Sequence, residues 1–154
     1  MSSRTLITLG VLALLVGGCT RTHYKPSKFA QEFDPGKVIE SILARLAGVE
    51  TNSPANAAGV YAQYGHHSYI RIFNFEPVAK ENDVAALLSN LKTSIDTDLR
   101  SEGLTTEFKP TPAGDLSVSY KSDERSGTVH IFTTPTARGS FRVVGVVHEC
   151  PQKD

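Results

Sequence analysis

No stretch of this sequence stays apolar for long enough to cross a bilayer. The longest such run, Leu6 to Val16, is broken once by Thr8. At about 1.5 Å per residue it spans about 16 Å, well short of the roughly 30 Å of hydrocarbon. An excess of charge of one sign is also missing, since 16 lysines and arginines balance 16 aspartates and glutamates. With no basic block, the sequence lacks the electrostatic footprint of nucleic-acid binding and of wholesale attraction to anionic lipid. Cysteine is scarce: Cys19 and Cys150 stand alone, with no Cys-x-x-Cys, which argues against a thiol oxidoreductase. Ser117, Ser119 and Ser122 lack the Gly-x-Ser-x-Gly context of a hydrolase nucleophile. A phosphate-binding glycine loop, a dinucleotide fingerprint and a zinc-protease motif are absent too. No cofactor and no metal are therefore expected.

What is present begins at Met1. Arg4 gives a positive start, Leu6–Val16 an apolar core, and Gly17-Gly18 small residues at a cut site. These are the three elements of a secretory signal, in order. A buried helix is the poorer reading, because Gly10, Gly17 and Gly18 weaken it and it has no polar face. Val16-Gly17-Gly18-Cys19 resembles the lipobox of bacterial lipoproteins, over this segment alone. The resemblance implies cleavage before Cys19, with diacylglycerol joined to its thiol through a thioether. In many bacteria a third acyl chain joins its amine. Two or three chains anchor a protein stably where one would be marginal. The segment departs from the commonest pattern in having Gly17 where Ala, Ser or Thr is more usual. Thr20, rather than Asp, follows the cysteine, and for a Gram-negative lipoprotein the resemblance implies transport to the outer membrane, periplasmic side.

Residues 1–18 are thus expected to be a leader, 19–34 a tether and 35–154 a single α+β domain. The tether is polar and aperiodic, and fully stretched it would reach about 50 Å. Phe29 and Phe33 give it the alternative of docking back on the domain. With Cys19 lipidated, Cys150 is left as a free thiol, half of an intermolecular bridge, or a small packed side chain near the chain end.

Asp34-Pro35-Gly36 opens a first helix, about 36–47, with Val38, Ile39, Ile42, Leu43 and Leu46 on one stripe. Residues 51–59 are small and polar and read as a loop. Residues 68–75 alternate with period two and read as a strand, apolar on both faces and so central or covered on both sides. A long helix follows at about 81–102. Val84, Leu87, Leu88, Leu91, Ile95 and Leu99 line one face, and Lys92, Asp96 and Arg100 lie opposite at ion-pair spacing. Four strands then form an antiparallel meander, at about 105–109, 116–121, 127–134 and 140–148. The long helix is expected to pack on one sheet face, its stripe joined by Phe132 and Val143. Strand, long helix and four strands is also the order of cystatin-like folds, an analogy of topology alone. The Gln-x-Val-x-Gly loop of cystatin inhibitors is absent, so protease inhibition does not follow.

The densest group of functional-looking side chains is Tyr61, Tyr64, His66, His67 and Tyr69. They are candidates for a binding rim, with rings stacking on a sugar or peptide, set against the plainer reading of an aromatic strand edge. Adjacent histidines on a strand point to opposite faces, and no third ligand has metal spacing. With a turn near Ala137, His130 would face Val144 and His148 would face Ser126, near 13 Å apart. Asp96 and Asp98 diverge by about 200° around a helix and cannot act as paired carboxylates. The expectation is a non-catalytic binding or structural module held on a membrane by lipid at Cys19. It would face the periplasm or exterior and bind an envelope protein or peptidoglycan. A small enzyme using the Tyr61–Tyr69 segment, or a carrier of a hydrophobic ligand, are the alternatives.

Overall fold

A computed structural model describes residues 24–47, 56–64, 68–76, 83–137 and 140–152. Its elements run α1 (Lys28–Glu32), α2 (Pro35–Ala47), β1 (Asn56–Tyr64), β2 (Tyr69–Glu76), α3 (Val84–Ser101), β3 (Thr105–Lys109), β4 (Asp115–Lys121), β5 (Arg125–Pro135) and β6 (Phe141–Pro151). The class is α+β, with helices against an antiparallel sheet, as the alternation of periods implies. The strands form one sheet in the order β1-β2-β6-β5-β4-β3. The meander β3–β6 is thus joined along β6 by the strand that precedes the long helix. Among the described residues, no helix is long and apolar enough to cross a membrane.

α3 forms because Leu87, Leu91, Ile95 and Leu99 recur every four residues, and all four are buried. They lie in one core with Val118, Val129, Ile131 and Val147 from the sheet. Asp83 occupies the N-cap position, but its side chain makes no capping hydrogen bond. The helix stops at Gly103, whose φ of 76° is open to glycine and strained for other residues. The expected polar-face pairing is present. Arg100 Nε lies 2.8 Å from Asp96 Oδ2, and Thr106 also donates to Asp96. These two hydrogen bonds, the threonine's first, hold the Asp96 carboxyl below the usual carboxylate range.

The structure corrects the sequence reading in several places. Residues 56–59 belong to a strand, not a loop. β1 pairs with β2 from Asn56↔Glu76 to Tyr64↔Tyr69, with a register shift between Ala57 and Gly59. Its alanines and glycine carry little strand signal, and ladder hydrogen bonds form it regardless of side chain. The expectation that β2 is central holds, since it lies between β1 and β6, and Ile72 on it remains 37% exposed. Phe132 is not core. Val129 and Ile131 take the inward positions of β5, which turns Phe132 outward at 36% exposure. Finally, β6 continues to Pro151, three residues past its expected end.

The largest correction concerns the tether. Residues 24–34 are part of the domain. Phe29, Ala30 and Phe33 are buried. The Phe29 and Phe33 rings stack at 4.8 Å, Phe29 meets Tyr120 edge-on at 5.7 Å, and Phe33 meets Phe73 edge-on at 6.1 Å. Removing two phenylalanines from water contributes roughly 2–3 kcal/mol each, enough to dock a short segment whose composition reads as polar.

Candidate functional site: a buried carboxylate under the N-terminal strap

The sheet presents its inward side chains in rows across the strands. The row at one end of the sheet runs Tyr69, Glu149, Gly127, Tyr120 and Thr106, on β2, β6, β5, β4 and β3. Glu149 is 0% exposed. A carboxylate there must be met by donors or it would cost several kcal/mol. Four hydrogen bonds meet it. The Tyr24 hydroxyl donates to Oε1 at 2.7 Å and the Ser27 amide to Oε1 at 2.6 Å. The Ser27 hydroxyl donates to Oε2 at 2.5 Å and the Tyr120 hydroxyl to Oε2 at 2.8 Å. Arg125 Nη1 stands 3.5 Å from Oε1. Two of the donor residues, Tyr24 and Ser27, come from the strap, more than 120 positions away in sequence.

Burial is the first cause that pushes both phenols, Tyr24 and Tyr120, well above their ordinary value. The adjacent Glu149 carboxylate adds to it, since an ionised phenol there would face a like charge. Both therefore stay protonated as donors at neutral pH.

The strap is also clamped at each end of α1. Glu102, just past α3, accepts from the amides of Lys28 at 3.0 Å and Phe29 at 2.5 Å. Ser27, the N-cap residue, accepts from the Ala30 amide. At the other end, Arg71 Nη1 donates to the Gln31 carbonyl at 2.6 Å and the Phe33 carbonyl at 2.8 Å. Its guanidinium also lies over the Phe73 ring, 4.8 Å from the centroid. Carboxylates at the free amides and a guanidinium at the free carbonyls match the ends of a helix to its partial charges. Hydrogen bonds to charged groups contribute about 1.5–3 kcal/mol each when buried. A cleft of about 780 Å³ runs beside the strap, lined in part by Lys25, Lys28, Glu102, Asp123 and Arg125.

The residues singled out from the sequence are dispersed. Tyr61 pairs with Ile72 and Tyr64 with Tyr69. His66 and His67 lie outside the described residues, as do residues 1–23 with Cys19. Tyr69 is buried at 2% exposure beside Glu149, so it is not part of a solvent-facing rim. Its inward register, set by the β2–β6 pairing, is the reason. The two strand histidines lie closer than the turn estimate implies. His130 faces Val146 and His148 faces Thr128, which makes them diagonal neighbours on the face opposite α3, roughly 7–8 Å apart. The His130 ring stacks near Phe132, centroids 4.1 Å apart. Among the described residues no group of three His, Cys, Asp or Glu side chains is placed to hold a metal ion. Cys150 is unpaired, its sulfur 3.6 Å from the Ser126 hydroxyl.

Glu149 itself escaped the sequence reading because Cys150-Pro151 looks like a strand end. The signal that could have found it is period two. Phe141, Val143, Gly145 and Val147 lead to Glu149 on the inward face, a charge where the pattern calls for an apolar residue. No protein-family model matches the chain, and no curated protein or solved structure is detectably similar to it.

Proposed function

We propose that this chain is a lipid-anchored lipoprotein of the bacterial envelope. In this reading its domain is a non-catalytic binding or structural module that faces the periplasm or exterior. The observation that carries the reading is a juxtaposition in the sequence. The Val16-Gly17-Gly18-Cys19 segment is followed, after only Thr20–His23, by a strap built into the domain from Tyr24 onward. Lipid on Cys19 would then hold a folded unit close to the membrane, with Glu149, Glu102 and Arg71 given over to securing the attachment. The partner in this reading is another envelope component, a protein or peptidoglycan. The sheet face opposite α3, with Ile72 and Phe132 half-exposed, offers it an apolar surface. The burial of Tyr69 weakens an enzyme built on the Tyr61–Tyr69 segment. The close packing of α3 on Val118, Val129 and Ile131 leaves a hydrophobic cargo little room between helix and sheet.

The test is mass spectrometry of membrane-extracted protein beside its Cys19→Ser variant. The expected wild type starts at Cys19 and carries acyl mass, while the variant is unprocessed. A wild type that keeps residues 1–18, or lacks acyl mass, would overturn the reading.

A further inference from the structure

We infer that the domain is held on the bilayer in one orientation, with the sheet end that carries Glu149 toward the lipid headgroups. The inference rests on the lipid anchor at Cys19 proposed above and adds where the lipid surface meets the fold. Tyr24 is fixed to Glu149 by a 2.7 Å hydrogen bond, and Ser27 by two more. From Cys19 to Tyr24 there are five Cα–Cα steps, which reach at most about 18 Å even when extended. The strap's starting point therefore cannot move farther than that from the acylated residue.

That point lies at one end of the sheet. The same end carries the β4–β5 turn, where the Ser122 amide donates to the Arg125 carbonyl and the Gln152 amide to the Glu124 carbonyl. It also carries the α3–β3 corner at Glu102–Leu104. Lys25, Lys28, Lys121 and Arg125 stand there among Asp123 and Glu124. This mixed charge suits proximity to headgroups of either kind without driving adsorption by itself. The opposite end carries the β3–β4 turn at Gly114 and the Thr136–Ser140 contact between β5 and β6. β5 has 11 residues, so at about 3.3 Å each the two ends stand roughly 35 Å apart. A tether of about 18 Å cannot exchange ends separated by twice that length while the strap stays docked.

The experiment uses acylated full-length protein reconstituted in phosphatidylcholine–phosphatidylglycerol vesicles whose headgroups carry a nitroxide. In a Cys150→Ser background, a fluorophore is placed at Asp123→Cys in the β4–β5 turn or at Ala113→Cys in the β3–β4 turn. Both positions are exposed. Quenching several-fold stronger at position 123 is expected. Inserting about ten Gly/Ser residues between Thr22 and His23 is expected to abolish the difference, since the reach then grows by about 35 Å. Equal quenching at both positions of an acylated protein would overturn the inference and leave the lipoprotein reading intact. So would a preference that survives the insertion. Protein that carries no acyl mass and fails to bind vesicles would overturn the lipoprotein reading itself, and this inference with it.

Discussion

Tyr120 and Glu149 sit on β4 and β6, strands that do not touch, and the tyrosine hydroxyl donates to the carboxylate at 2.8 Å across the intervening Gly127. The glycine is what lets the ring cross. A Cβ at position 127 would lie 2.3 Å from Tyr120 Cζ and 2.5 Å from its hydroxyl oxygen. Gly145 does the same on the neighbouring strand, where a Cβ would meet the Phe73 ring at 2.8 Å. Two glycines on the inward face thus open the space that the Tyr120 and Phe73 rings occupy.

Gly127→Ala should therefore expel the Tyr120 ring and destabilise the fold by about 1–3 kcal/mol, the range of overpacking substitutions. A double-mutant cycle in urea isolates the cause. In a Tyr120→Ala background the added methyl meets no ring, and its cost should fall by more than half. An equal cost in both backgrounds would show that the ring is not what the methyl strikes.

Glu149 and Glu102 both accept from the strap, but only Glu149 is fully buried. Glu149→Leu leaves Tyr24, Tyr120, Ser27 and Arg125 without their shared acceptor, and should cost about 3–5 kcal/mol. Glu102→Ala removes an exposed cap from two amides and should cost about 1 kcal/mol. Both should speed tryptic cleavage at Lys28, Glu149→Leu far more. Similar small losses from the two substitutions would mean that the aromatic contacts of Phe29 and Phe33 alone hold the strap.

The two phenols give the strap an alkaline limit. Folding raises the ionisation of Tyr24 and Tyr120 above the unfolded value near 10. The sign is fixed by linkage. Below pH 10 both states keep the protons and the contribution is fully present. Above it the unfolded chain releases protons that the folded one retains, so stability falls as pH rises. Absorbance titration should show Tyr24 and Tyr120 ionising only as the protein unfolds. Tyr24→Phe should make the stability loss above pH 10 shallower. An unchanged slope in that variant would place Tyr24 outside the buried network.

Much of this fold is legible from period and punctuation. The α3 stripe at Leu87, Leu91, Ile95 and Leu99, the stop at Gly103 and the limits of β3 follow from rules that use neighbours in sequence. What escapes those rules depends on partners far along the chain. β1 is a strand because β2 offers it a ladder. Residues 24–34 are domain rather than tether because Glu149, more than 120 positions away, supplies an acceptor for Ser27. The candidate site was illegible for the same reason. Tyr, Ser, Glu and Arg have no shared spacing, and only the docking of the strap on the row across β2, β6, β5 and β4 brings them together. Spacing proved a better guide to exclusion. The outward turn of Asp96 follows from helix geometry, and the structure gives it a local use, pairing with Arg100 and Thr106.

The same contrast decides between two neighbours on β5. Hydropathy ranks Ile131 and Phe132 alike as core, and no turn position in the sequence is sharp enough to say which points inward. The ladder does say. Ile131 pairs with Gly145, at 0% exposure in the row that includes Phe73 and Leu116, while Phe132 pairs with Val144 on the face away from the helices. Ile131→Ala should then cost about 2–5 kcal/mol, from lost burial and the cavity left behind. Phe132→Ser should cost less, about 1 kcal/mol, because its ring is already 36% exposed and gives up one tilted contact with His130. Urea unfolding of the two variants, with m unchanged, reads both numbers. A large loss at Phe132 alongside a small one at Ile131 would mean that β5 is shifted by one residue, since a single step exchanges every side chain between the faces.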